Sequence, residues 1–194
     1  MDQFILEQIQ TSLQVKQEIL SSDDLLSTIR KACEITIDAY KNGKRTLIAG
    51  NGGSAADAQH IAGEFVSRFY FDRPGLPSIA LTTDTSILTA IGNDYGYEKL
   101  FSRQVEANGV EGDILIAIST SGNSPNILAA IDAAKQKKIT IIGFTGKKGG
   151  KMKDLCDICI CAPSDETPRI QESHILIGHI ICAAVEEAMF GKGF

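Results

Sequence analysis

His60 and Glu64 stand four residues apart in the run Gly53-Ser54-Ala55-Ala56-Asp57-Ala58-Gln59-His60-Ile61-Ala62-Gly63-Glu64, directly after Gly50-Asn51-Gly52. An i,i+4 spacing on a helix puts an imidazole and a carboxylate on one face. There they can meet one metal ion or one substrate, or form an ordinary solvated pair. The glycines ahead of them permit positive φ and the close approach of a ligand. Asn51 and Ser54 add short polar groups at the same mouth, and Ser54 is also a good N-cap.

A second stretch carries chemistry of another kind. Ser119-Thr120-Ser121-Gly122-Asn123-Ser124-Pro125 places four hydroxyls and a glycine between an apolar run and a proline at the first position of a helix, with Ser124 as its cap. Free backbone N–H groups and the positive end of the helix dipole make such a junction an anion site that needs no lysine. Lys147 and Lys148 could assist a phosphate or be a solvated loop, and Asn93 and Asp94 could contact a ligand or serve ordinary loop chemistry. A long apolar stretch from Arg169 to about Met189 carries Gln171, Glu172, His174 and His179, and any of these facing inward needs a partner.

These groups are positioned by alternating elements. Apolar runs bounded by turn residues predict strands at 44–50, 78–81, 113–118, 140–144 and 157–161. Helical spacing predicts helices at 54–68, from Thr85 through Ile91, at 99–107, from Pro125 to Lys138, a short one ending near Leu155, and the last at 169–189. Gly92-Asn93-Asp94-Tyr95-Gly96-Tyr97-Glu98 is expected as a polar break, and 163–168 as a linker. The alternation predicts an α/β doubly wound domain on a five-stranded parallel sheet in the order 2-1-3-4-5, so that the loops after strands one and three adjoin at the switch point. The spacing is neither a dinucleotide-binding nor a GxxxxGK[ST] phosphate loop. Ahead of the sheet, two amphipathic helices, 3–20 and Asp23–Tyr40, form a helical extension (1–42) to the 43–194 core. They are more than one sheet face needs, so the first is expected against another subunit or across the domain.

Composition excludes several classes. The 194 residues, 43% of them apolar, suffice for a single domain. A net charge of -5 without a basic stripe argues against nucleic acid and anionic membrane as partners. Neither an 18-residue apolar run nor a basic n-region with an apolar core is present, so a cytoplasmic protein is expected. The five cysteines are odd in number, and Cys156, Cys159 and Cys161 lie in an alternating apolar run that predicts a buried strand rather than a soft-metal site.

Taken together, the Gly50–Ser54 loop with His60 and Glu64, the segments 82–86 and 92–97, the Ser119–Ser124 loop, and Thr167-Pro168-Arg169-Ile170-Gln171-Glu172 with His179 resemble the phosphoheptose isomerases, a sugar-isomerase (SIS) domain family. The resemblance covers essentially the whole chain. It implies an SIS (flavodoxin-like) fold and the conversion of sedoheptulose 7-phosphate to glycero-manno-heptose 7-phosphate for lipopolysaccharide core or related surface glycans. It further implies that Asn51, Gly52, Gly53 and Ser54 line the sugar, that Ser119, Thr120, Ser121 and Ser124 hold the phosphate, and that Asn93, Asp94, Glu64 and Gln171 contact substrate. His60, Glu64, Gln171 and His179 match the family's zinc ligands, one zinc per subunit, and Glu64 with His179 its acid–base pair. A homotetramer with active sites at subunit interfaces is implied as well. A competing class is a non-catalytic SIS-domain protein that binds a phosphosugar or a partner.

Overall fold

The computed structural model describes residues 1–193. Five parallel strands, β1 (Thr46–Ala49), β2 (Ser78–Ala80), β3 (Ile114–Ile118), β4 (Thr140–Thr145) and β5 (Ile158–Cys161), lie in the order β2-β1-β3-β4-β5, as the alternation predicts. Residues alternate between two apolar layers. Ile48, Ile114, Ile116 and Ile118 face one layer, and Leu47, Ala49, Leu115 and Ala117 the other. Because both faces are covered, β1 and β3 are buried at every position and appear in the sequence as unbroken apolar runs.

The first layer is built from α1 (Asp2–Leu20), α2 (Asp23–Lys41), α3 (Gly53–Val66) and α8 (Thr167–Phe190), and the second from α4 (Thr85–Tyr95), α5 (Ser102–Asn108), α6 (Pro125–Gln136) and the short α7 (Met152–Leu155). The helix α8 is long and apolar enough in composition to cross a membrane, yet Ile177, Ile181 and Val185 are buried in the domain core.

The helices α3 and α8 run side by side and parallel. Gly53 meets Gln171, Ile61 meets Gly178, His60 meets His179 and Phe69 meets Glu186, so the partners stay 117–119 positions apart along both helices. Gly178 makes this close approach possible, since a Cβ there would lie 2.6 Å from Ile61 Cδ1. Further along, α1 docks on the first turns of α8, where Ser12 Oγ donates to Glu172 Oε2 at 2.6 Å and Arg169 pairs with Glu172 at 2.7 Å. Val15 and Ile19 are buried by this docking, while Phe4, Ile9, Leu13 and Leu20 remain exposed.

Several local expectations need correction. Gly52, at φ +55°, is the N-cap of α3, and Ser54 sits buried inside the first turn. A glycine at that dihedral turns the chain more sharply than a serine cap allows. Asp84, just ahead of the expected start at Thr85, caps α4, its carboxylate accepting from Ile87 N at 2.9 Å. The expected break at 92–98 is instead the last turn of α4, which runs on to Tyr95 and stops at Gly96, φ +85°. Gly92 costs such a helix only about 1 kcal/mol, and burial of Ile91 outweighs it. The region expected as one helix at 99–107 splits into a 3-10 turn (Tyr97–Lys99) and α5. Pro168 belongs to the first turn of α8, where its missing N–H is not needed.

The cysteine run is an edge strand, not a buried one. Among the described residues β5 pairs with β4 alone, and Cys159 and Cys161 are half-exposed on the face opposite Ile160, with sulfurs 3.9 Å apart. The neighbouring Cys156 thiol, aided by burial, pushes Cys159 up to about 12, which makes it a poor nucleophile. All five cysteines are free thiols.

Candidate active site

The β1–α3 and β3–α6 loops meet at the switch point between β1 and β3, where an open parallel sheet presents its ligand crevice. Asn51 and Asn126 join them through a reciprocal amide pair, and Tyr97 Oη donates to Asn51 Oδ1 at 2.9 Å. Asn126 is buried at the start of α6, so the glycine loop is tied directly to the helix that ends the serine loop.

In the β3–α6 loop three hydroxyls converge. Ser119 Oγ lies 2.9 Å from Ser124 Oγ and 3.4 Å from Ser121 Oγ. Ser124 is the N-cap residue and Pro125 opens the helix, as expected, but the Ser124 hydroxyl turns to Ser119 instead of bonding the helix. Pro125 has no N–H and Ile127 N donates to the Ser124 carbonyl oxygen at 3.1 Å, so the Asn126 N–H is the first-turn donor left beside the hydroxyl cluster, and together they form a donor array suited to an anion. Thr120 and Ser121 also line a cleft of about 310 Å³ with Lys147, Lys148, Ser164 and Thr167. Lys148 there pairs loosely with Asp165 at 3.6 Å, and both side chains are largely exposed.

At the facing surfaces of α3 and α8 a third group assembles. His60 Nε2 lies 3.1 Å from Glu64 Oε1 and 2.9 Å from His179 Nε2. All three ligand atoms fall within 4.8 Å of one another. Two imidazole nitrogens so close must present one lone pair and one N–H to each other, or share a cation. The set of two imidazoles and a carboxylate fits a borderline divalent metal. The Phe69 ring backs His179 at 5.5 Å between centroids.

The structure brings only part of the expected set together. Gln171 is packed on Gly53 at one end of the α3–α8 contact, about two turns before the His60–Glu64–His179 cluster. Eight residues separate Gln171 from His179 on one continuous helix, roughly 12 Å along its axis. Asn93 and Asp94 are exposed on the last turn of α4, where Asn93 Nδ2 donates to Asp94 Oδ1 at 2.8 Å. His174 is fully buried, and its Nε2 lies 3.0 Å from the Thr145 carbonyl oxygen. Burial holds it well below the usual histidine value, at about 4, so it is a neutral core residue.

Two residues escaped the sequence reading. Asp57 has a buried carboxylate oxygen, Oδ2, without a hydrogen-bond partner among the described residues, and burial raises its carboxyl although His60 acts in the opposite sense. Its spacing to Gly53, His60 and Glu64 follows one helix face and was a readable signal. Asn126 gave none, since its partner Asn51 lies 75 positions away.

The profile of the SIS domain family matches residues 10–146. The chain is 66% identical, over 100% of its length and 98% of the relative's, to a phosphoheptose isomerase from Aneurinibacillus thermoaerophilus. It is 69% identical to phosphoheptose isomerase 2 from Campylobacter jejuni, over 94% of this chain and 91% of that one. The solved phosphoheptose isomerase from Neisseria gonorrhoeae superimposes with a TM-score of 0.90 at 41% identity, covering 96% of this chain and 98% of that one. Full-length identity of this order, on a shared fold, means that the chain belongs to the SIS-domain family and, within it, to the phosphoheptose isomerases.

Proposed function

We propose that this protein is an aldose–ketose isomerase that converts sedoheptulose 7-phosphate to D-glycero-D-manno-heptose 7-phosphate by proton transfer through an enediol, supplying heptose for lipopolysaccharide core or related surface glycans. The observation that carries the reading is the His60–Glu64–His179 cluster, set across the α3–α8 contact from the glycine loop. A module that only binds a phosphosugar has no use for a base, which disfavours the non-catalytic reading.

The roles follow from the chemistry. Ser119, Thr120, Ser121 and Ser124, with the Asn126 N–H at the start of α6, hold the phosphate far from the reacting carbons, and remote binding of this kind orients the substrate. Asn51, Gly52, Gly53 and Ser54 line the sugar, with Asn93 and Asp94 at its rim. Glu64 takes the proton from C1 of the ketose and returns it to C2, while His179 moves the proton between the two oxygens, so no atom is gained or lost. His60, Glu64, Gln171 and His179 would hold one zinc ion, which supplies Lewis acidity toward the substrate's carbonyl and hydroxyl oxygens.

An assembly with sites between subunits, a homotetramer by family resemblance, is part of this reading. It is supported by the exposed apolar face of α1 and by the distance of Gln171 from the cluster within one chain. Turnover of sedoheptulose 7-phosphate before and after chelation tests the whole: activity should vanish with the metal and return with added zinc. Binding of the phosphosugar without exchange of its C1 hydrogen with solvent would select the non-catalytic alternative.

A further inference from the structure

Behind the cluster, Arg73 and Glu186 form a buried ion pair, with Nε and Oε1 3.1 Å apart and side chains 2% and 0% exposed. Neither group faces the crevice, and each does more than neutralise the other. Arg73 Nη2 donates to the main-chain carbonyl oxygen of Glu64 at 2.7 Å, and Nη1 donates to that of Phe65 at 2.6 Å. Both carbonyls lie in the last turn of α3, where helices leave acceptors without an intrahelical partner, and Phe65 O also accepts from Leu76 N at 3.0 Å; the guanidinium thus caps the very helix end that carries Glu64. Glu186, from α8, accepts from Phe69 N at 2.7 Å and from Tyr70 N at 2.6 Å. Burial alone would raise its carboxyl, but these N–H groups and the guanidinium outweigh it and hold the acid ionised.

The consequence is geometric. Glu186 lies seven residues after His179 on α8, hence on nearly the same face. Its grip on Phe69 N fixes the backbone whose ring backs His179. One buried pair therefore touches both halves of the cluster: the main chain of Glu64 through Arg73, and the ring against His179 through Glu186.

We propose that Arg73 and Glu186 are positioning residues for the His60–Glu64–His179 centre, setting the α3–α8 spacing on which its metal affinity and proton transfer depend. The inference rests on the reading of that cluster as the metal and acid–base centre. In Glu186→Gln the amide nitrogen replaces one of the two oxygens, so it must face either the Phe69 N–H or the Tyr70 N–H, and Arg73 loses its counter-charge. Arg73→Lys keeps the charge but loses the planar fork that reaches two carbonyls at once. Phe69→Ala removes only the ring behind His179.

The test measures zinc affinity of metal-free protein by competition with a chromophoric chelator, together with kcat, KM and Tm. All three variants should bind zinc about 10–100-fold more weakly, the range typical of groups that orient metal ligands, and kcat should fall by more than KM rises. A lower Tm with zinc affinity and kcat at wild-type values in the folded variants would reduce the pair to a stabilising role and overturn the proposal. Should the two ion-pair variants fail to fold, Phe69→Ala decides alone, and wild-type zinc affinity in it overturns the proposal. Zinc affinity can be read even where the wild type does not turn over sedoheptulose 7-phosphate, so failure of positioning and failure of the proposed activity remain distinct. A wild type that binds no zinc overturns both.

Discussion

Asn51 and Asn126 exchange two hydrogen bonds, Asn51 Nδ2 to Asn126 Oδ1 at 2.9 Å and Asn126 Nδ2 to Asn51 Oδ1 at 2.8 Å, and so lock the glycine loop to the start of α6. With Tyr97 also donating to its Oδ1, Asn51 keeps one N–H free, and the pair leaves it a hydrogen-bond donor toward the crevice. Asn126→Ala strips a buried partner from Asn51 and should cost about 1–3 kcal/mol of stability. It should also raise KM for sedoheptulose 7-phosphate, because the two loops lose their common reference. Thermal denaturation and steady-state kinetics check both, and an unchanged KM would show that the loops are positioned independently.

The serine loop should behave as a phosphate clamp. Removing two of its three converging hydroxyls in Ser121→Ala/Ser124→Ala should raise KM strongly. Since remote binding energy is partly realised in the transition state, kcat should fall as well. Wild-type kinetics in the double variant would remove these hydroxyls from the phosphate site.

Glu64→Gln preserves shape and removes basicity. Substrate should still bind while turnover falls by roughly two to four orders of magnitude. Metal content must be measured in the same sample, because Glu64 lies within ligand distance of His60 and His179. Wild-type exchange of the C1 or C2 hydrogen with solvent in fully metallated variant would refute the assignment.

Gln171 should reach the centre of a neighbouring subunit. Within one chain it packs on Gly53 instead of the cluster, and the straight run of α8 keeps it there. Gln171→Ala and His179→Ala proteins, each inactive alone, should therefore regain activity when co-assembled, since a site built from one of each holds both wild-type residues. Absence of complementation in verified mixed oligomers would place all ligands in one chain.

Acid should weaken the fold through His174. Its value in the folded protein is depressed from 6.5 to about 4, so its contribution is complete above pH 6.5 and is lost as pH falls from there to about 4. The total is roughly 3 kcal/mol at 1.36 kcal/mol per unit. Glu186, also depressed, adds stability above the ordinary carboxylate range that is lost as pH falls through its lowered value. Urea midpoints across this range should decline, and His174→Phe should flatten the portion between pH 6.5 and 4 if it folds.

The sequence alone determined the sheet order, the two loops at the switch point and the His60–Glu64 pair, because each rests on local spacing. Strand runs buried on both faces, a proline at a helix start and an i,i+4 step are all encoded within one element. Helix ends were less legible: α4 runs past Gly92 because burial of Ile91 outweighs a small backbone cost. Only the tertiary structure decided that His179, 119 positions from His60, completes the cluster as an observed contact, and that Gln171 does not join it within the chain. The same holds for Asn126 against Asn51 and for Arg73 with Glu186 beneath the centre. Such pairs have no local spacing to betray them, since they exist only where parallel packing of α3 on α8, and the meeting of the β1–α3 loop with the start of α6, brings remote polar groups into a dry interior that requires each to be satisfied.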